Sequence, residues 1–459
     1  EYQRSNAAVA ANAITAYNLG YTGVGVKIGI VDTGFNLVDG LPAHVEFDGP
    51  GKLTRLTSSP PILNDDHGPH VAGLATGERD GTIMQGVAYG ATLYLGDVDT
   101  TPLGFKNIFD EYVRLGVRVS SNSYGVPIPG GEDSPWNPVQ TEPKGVEVTA
   151  KNAIAYRDRL RISSAQMMAN IHGGTATEWT SAVASFRSFQ NAGGVVVFAN
   201  SNYGLNDIAN GRKGLDDVDV MTGLPVSFPE LLGGGWIAVT NGTSLGLAIE
   251  GNGAAFAAKG PAKEGNIFLQ SAQCGSAANF CVTMDGYQAW SGANKGVSSY
   301  TSQGGTSQAT PMVAGMIALL REAFPTASSA DLAARLMFTA DNRFFLNGSV
   351  STVTTATYTN ANGSVTHRVS NIWGHGFPDM QAALVPIGLT TTTLASGQKV
   401  AVDQIAGSSY QLSRAFGGGG EIANASFLYN DVLNGVFVGN LSGSVTSVGD
   451  TSMFQSVNA

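Results

Sequence analysis

Charge and cysteine are both scarce in this sequence, and each shortage narrows what the chain can be. Only 13% of its 459 residues are charged, with 25 Lys and Arg against 35 Asp and Glu, a formal net charge of -10. No run of Lys and Arg offers a basic face, which excludes nucleic acid as a main partner. No apolar run reaches the roughly 20 residues that a membrane-spanning helix needs; the longest, near Met312–Leu320, is about half that. The two cysteines, Cys274 and Cys281, have no second Cys/His pair at ligand spacing, so a zinc site is not expected. Their separation admits a small disulfide loop, worth roughly 2.5 kcal/mol on the chain-entropy model, or a pair of buried thiols. The chain also lacks an initial Met or an apolar leader; it begins Glu1-Tyr2 and reads as processed or trimmed.

What is present points to a folded, low-charge protein. Hydrophobic residues make up 43% of the chain and glycines number 60, enough apolar surface for a large core and many tight turns. A β-branched run of strand length occurs at Val26–Val31, and further short apolar runs recur at Thr92–Leu95, Val117–Ser121, Val195–Ala199 and Trp236–Thr240. Helical patterns alternate with them at Ala7–Gly20, His67–Thr76, Lys106–Leu115, Trp179–Gln190 and Thr310–Ala323. This alternation predicts an α/β fold, a mostly parallel central sheet with helices on both faces. Residues 1–385 are expected to form this domain, interrupted by a long insertion over about 126–194 that opens with a Pro/Gly-rich loop. A β-hairpin is expected around Asn362-Gly363, over about 349–369. Residues 386–459 turn to Gly, Ser, Thr and Val and read as a β-rich extension or linker.

Three segments carry chemistry. They are Val31-Asp32-Thr33-Gly34, His67-Gly68-Pro69-His70 and Gly305-Thr306-Ser307-Gln308-Ala309-Thr310-Pro311. A serine hydroxyl becomes nucleophilic when an imidazole takes its proton, and the imidazole needs a carboxylate to fix its tautomer. Asp32 at the end of a strand, His67 opening a helix and Ser307 at a helix start supply those groups. Each has a plainer reading: Asp32 as a turn former, His67 as a structural histidine, Ser307 as an N-cap. His70 stands three residues after His67, yet no H-E-x-x-H metal pattern is present. The elbow G-x-S-x-G fails at Ala309, and Gly23, Gly25 and Gly29 precede their strand where a dinucleotide fingerprint would follow it.

The ordered set resembles the signatures of the subtilisin-like serine proteases. Val195-Val-Val-Phe-Ala-Asn-Ser-Asn-Tyr-Gly204 is similar to the family segment whose side-chain amide binds the oxyanion, which places that role on Asn202, with Asn200 as the alternative if the alignment slips. Asn122-Ser123-Tyr124-Gly125 is similar to the strand that lines the primary specificity pocket. The resemblance therefore implies a pocket walled by Ser123, Tyr124, Gly125, Ala199, Asn200 and Ser201. Asn200 and Ser201 stand where the family has Ala and Gly, so pocket size and polarity depart from the pattern; Pro69 and Gln308 also depart, without removing a catalytic atom. Cys274-Gly275 to Phe280-Cys281, and Trp373-Gly374-His375-Gly376 leading to Pro386, resemble the passenger proteases of bacterial autotransporters. The resemblance implies a secreted or cell-surface serine endopeptidase acting on proteins or peptides, with a disulfide between Cys274 and Cys281 and a C-terminal barrel translocator in the precursor. No cofactor is required; structural calcium is compatible with it, though no ligand loop can be named. The competing expectations are a protease-fold adhesin without turnover and an esterase.

Overall fold

The computed structural model describes residues 2–39, 41–81, 83–126, 148–202, 216–243, 263–264, 267–345, 352–393, 396–402, 410–412, 426–440 and 445–447. The Pro/Gly-rich loop opening the insertion lies almost wholly outside them. Two units are distinguishable: residues 1–356 with 366–384, and residues 357–365 with 385–459.

The first unit is built on a sheet in which β-branched sequence becomes strand wherever both faces can be covered. Its strands are β1 (Lys27–Asp32), β2 (Leu53–Arg55), β3 (Thr92–Asp97), β4 (Val119–Asn122), β5 (Val195–Ala199), β6 (Trp236–Thr243), β7 (Lys263–Glu264), β8 (Ile267–Leu269) and β9 (Cys281–Met284). The order is β2-β3-β1-β4-β5-β6-β8-β7, with β9 also on β6. All pairings from β2 to β6, and β9 on β6, are parallel; β7 and β8 add antiparallel pairs. The central strands are buried on both faces: Val195–Phe198 are fully buried, and in β4 the polar Ser120, Ser121 and Asn122 are buried as well.

Helices cover both sides. α3 (His67–Thr76) and α8 (Thr306–Ala323) pack on each other and on β1, while α4 (Pro102–Leu115) packs on α7 (Ala176–Asn191). α4 and α7 meet through aromatic rings, Phe109 lying 4.4 Å from Phe186 and 5.3 Å from Phe189 between centroids. Gly29 lets that layer approach the sheet: a Cβ there would sit 2.4 Å from the Tyr112 ring. α8 is buried almost all round, from Gln308 to Leu320, which its unbroken apolar sequence dictates.

Several boundaries differ from the sequence pattern; α4 and α7, for example, begin at Pro102 and Ala176, a few residues earlier than expected. The N-terminal helix is two short ones, α1 (Asn6–Ala10) and α2 (Ile14–Asn18), broken where Asn12 adopts φ 51° and its amide donates to Asp379. α8 begins at Thr306, four residues earlier than expected, so Ser307 lies in the first turn and Gly305, not Ser307, is the N-cap. Pro311 is accordingly inside the helix. Having no N–H, it leaves the carbonyl of Ser307 four residues back without its helical donor, and the Ser123 hydroxyl fills that place at 3.0 Å. The later part of the insertion is helical: α5 (Ala150–Leu160) and α6 (Ser164–His172) precede α7.

Cys274 and Cys281 form a disulfide with Cα atoms 5.9 Å apart, so the buried-thiol reading does not hold. Beyond α8 come α9 (Ser329–Phe338) and the strands β12 (Val353–Asn360) and β13 (Gly363–Ser370), paired with each other around Asn362; β10 (Ala289–Gly292) and β11 (Tyr300–Gln303) form another hairpin. The second unit contains a four-stranded sheet of β14 (Thr391–Thr393), β15 (Lys399–Ala401), β16 (Ser426–Asn430) and β17 (Val436–Asn440), in the order β15-β14-β16-β17.

Candidate active site

The register of the central strands brings their carboxyl ends level. Val31 pairs with Asn122 and Asn122 with Phe198, so Asp32 and Ala199, the last residues of β1 and β5, and Ser123, the first residue past β4, lie at one height. Side chains at this edge are where an open parallel sheet presents functional groups. Asp32 is the last residue of β1 and is fully buried. Its Oδ1 accepts from the Thr33 amide at 2.8 Å and meets His67 Nδ1 at 2.5 Å.

His67 is the first residue of α3 and its ring is partly exposed, 27%, beside the buried carboxylate. The helix can come this close because Gly68 has no side chain: a Cβ there would lie 1.6 Å from the Gly34 carbonyl oxygen. Burial opposes a charge on His67, but the Asp32 carboxylate, by charge and hydrogen bond, and Asp65 and Asp66 outweigh it and raise its pKa. His70, by contrast, is structural. It is buried, its Nε2 donates to the carbonyls of Ala289 and Thr301 at 3.1 and 3.3 Å, and burial lowers its pKa to about 4. It ties α3 to the β10–β11 hairpin and stays neutral.

Ser307 Oγ donates to the Ser123 carbonyl at 3.2 Å while Ser123 Oγ donates to the Ser307 carbonyl. This reciprocal pair docks the start of α8 on the end of β4. Ser307 is thus brought to the same edge of the sheet as Asp32 and His67, with its hydroxyl turned to Ser123.

The two candidate amides differ in how their atoms are used. Asn200 is buried; its Nδ2 donates to the carbonyls of Ala272 and Gln273, both at 3.0 Å, and its Oδ1 accepts from the Ser201 and Asp219 amides. Its donors are consumed. Asn202 is exposed, and its Oδ1 accepts from the Thr306 amide at 2.8 Å and the Thr306 hydroxyl at 2.9 Å. That fixes the plane of the Asn202 carboxamide and leaves Nδ2 without a partner among the described residues. Gly305, at φ 153°, is what lets Asn202 lie against the start of α8, since a Cβ there would approach Oδ1 to 2.8 Å.

A pocket of about 230 Å³ opens beside these groups. All six residues expected to wall it (Ser123, Tyr124, Gly125, Ala199, Asn200 and Ser201) line it, together with Asn202 and Ser307. Two more, Asp219 and Thr306, were not apparent from sequence. Thr306 had a signal, its place beside Ser307. Asp219 had none, lying 17 residues beyond Asn202. Among the described residues no group of three or more His, Cys, Asp or Glu could hold a metal ion, and no helix is long and apolar enough to cross a membrane.

The subtilase family model matches residues 23–376. An extracellular serine protease of Serratia marcescens is 29% identical over 376 residues, and a second of the same description and organism is 30% identical over 369. Each match covers 74% of this chain and 32% of the relative, so the chain spans about a third of the length of the curated relatives it matches. Among solved structures, the MycP3 protease of a type VII secretion system is 17% identical, with 82% of this chain and 87% of that one covered at a TM-score of 0.47.

Proposed function

The chain belongs to the subtilase family, and from that premise we propose that it is a secreted serine endopeptidase whose nucleophile is Ser307. The observation that carries the reading is the 2.5 Å contact between His67 Nδ1 and the buried Asp32 Oδ1. It selects the tautomer that protonates Nδ1 and leaves Nε2 a base. In the reaction Ser307 Oγ leaves the Ser123 carbonyl, gives its proton to His67 Nε2 and attacks the scissile carbonyl. His67 then returns the proton to the departing amine, and water repeats the sequence on the acyl-enzyme. Asp32 holds the imidazole and stabilises its charged form. The oxyanion is received by Asn202 Nδ2 and the Ser307 amide in the first turn of α8, where amide groups lack helical acceptors and the helix dipole is positive. Hydrolysis in this scheme requires no cofactor.

The acyl-side residue of the substrate occupies the pocket between β4 and β5. Secretion fits the names of the Serratia relatives and the low charge content; export as the passenger of a barrel translocator rests on the resemblance of the Cys274–Cys281 and Trp373–Gly376 segments. Digestion of casein or a mixed peptide library tests the activity: cleavage by the native protein and none by Ser307→Ala are expected. Equal cleavage by both would overturn the assignment, and none by either would favour an adhesin.

A further inference from the structure

We propose that Asp219 makes the pocket selective for a basic side chain, so that the enzyme cleaves after Arg or Lys; this rests on the protease reading above. Asp219 is 5% exposed and lines the 230 Å³ pocket, as do Ser307 and Asn202. Among the described residues that line the pocket it is the only charged one. A carboxylate in a desolvated cleft binds a guanidinium or ammonium strongly, and an apolar side chain would strip its water and return nothing.

The surrounding hydrogen bonds hold the carboxylate in place. Its Oδ1 accepts from the amides of Met221 and Thr222 at 2.8 and 3.3 Å. The Asp219 amide donates to Asn200 Oδ1 at 3.0 Å, and Asn200 is itself clamped to Ala272 and Gln273. The turn is tied further by the Thr222 hydroxyl on the Ala199 carbonyl. Asn200, one of the two departures from the family pattern, therefore does not fill the pocket. Its carboxamide bridges the pocket wall to the segment carrying Asp219, which makes it a positioning residue for that charge.

Four peptides that differ only in the residue before the scissile bond (Arg, Lys, Leu or Phe) provide the test. The native enzyme is expected to show a kcat/KM for Arg and Lys at least about 10-fold above Leu and Phe. Asp219→Asn, which keeps both backbone contacts, should lower the Arg and Lys values by about 10²-fold and leave Leu and Phe within about 3-fold. A native preference for Leu or Phe, or an equal loss on all four peptides, would overturn the inference. Should none be cleaved, the protease reading fails and benzamidine decides the pocket independently. A rise in Tm with benzamidine that vanishes in Asp219→Asn upholds the cation preference; no rise in the native protein overturns it.

Discussion

Single atoms decide most of the proposed chemistry. His67 must be neutral at Nε2 to accept a proton, and Asp32, Asp65 and Asp66 together raise its pKa against the effect of burial. Activity should therefore fall on acidification with a midpoint above the ordinary imidazole value of about 6.5, which a kcat/KM profile from pH 5 to 9 will check; a flat profile would contradict the role. If Asn202 is the proposed oxyanion donor, Asn202→Ala should lower kcat by roughly 10²–10³ with little change in KM, the range for removing such a side-chain donor from a subtilisin, whereas Asn200→Ala should act on stability and pocket selectivity. The sequence made Asp32, His67 and Ser307 visible because each sits in a local context of small and turn-forming residues. It could not separate Asn200 from Asn202. What separates them is how their amide atoms are used: the Asn200 Nδ2 donates to Ala272 and Gln273 while its Oδ1 accepts from Asp219, whereas Asn202, among the described residues, is held only through its Oδ1, by Thr306. Asp219 was illegible for the same reason.

At the level of elements, the site is an encounter between the start of α3, the start of α8 and the ends of β1, β4 and β5. Gly68 controls the first of these. In an exposed helix Ala would be favoured over Gly by about 0.5–1 kcal/mol, but here its Cβ would strike the Gly34 carbonyl. Gly68→Ala should move His67 away from Asp32 and cost about 10²-fold in kcat/KM, as misplacements of about 1 Å do, while the protein stays folded by circular dichroism. Unchanged kinetics would show that α3 has room the packing denies it. Strand positions and α3 were legible because their apolar runs are uninterrupted and of one period. The start of α8 was not, because Pro311 suggests a first turn. The missing donor is instead replaced by Ser123, a residue from another strand. The break at Asn12 likewise depends on Asp379, far along the chain.

At the scale of the whole molecule, stability rests on the buried sheet and on a few buried ties that are local in sequence. The Cys274–Cys281 bridge should contribute roughly 2.5 kcal/mol, so Cys274→Ser/Cys281→Ser should shift the urea midpoint downward with unchanged m. His375 is buried against His367, with Nδ1 atoms 3.1 Å apart, and burial followed by the His367 charge lowers its pKa to about 3. The folded state thus binds fewer protons than the unfolded one below about pH 6.5. Stability is full above that value and declines as pH falls toward 3, so Tm should drop from pH 7 to 5, and less steeply in His375→Gln.

The central claim is that Asp32, His67 and Ser307, the last of them 240 residues beyond His67 in the chain, act together at one edge of a sheet. Peptide mapping of a fluorophosphonate adduct tests it most directly: the account predicts a single modification on Ser307, formed quickly in the native protein and orders of magnitude more slowly in His67→Ala. An adduct on any other residue, or labelling of Ser307 that proceeds at the same rate without His67, would contradict it.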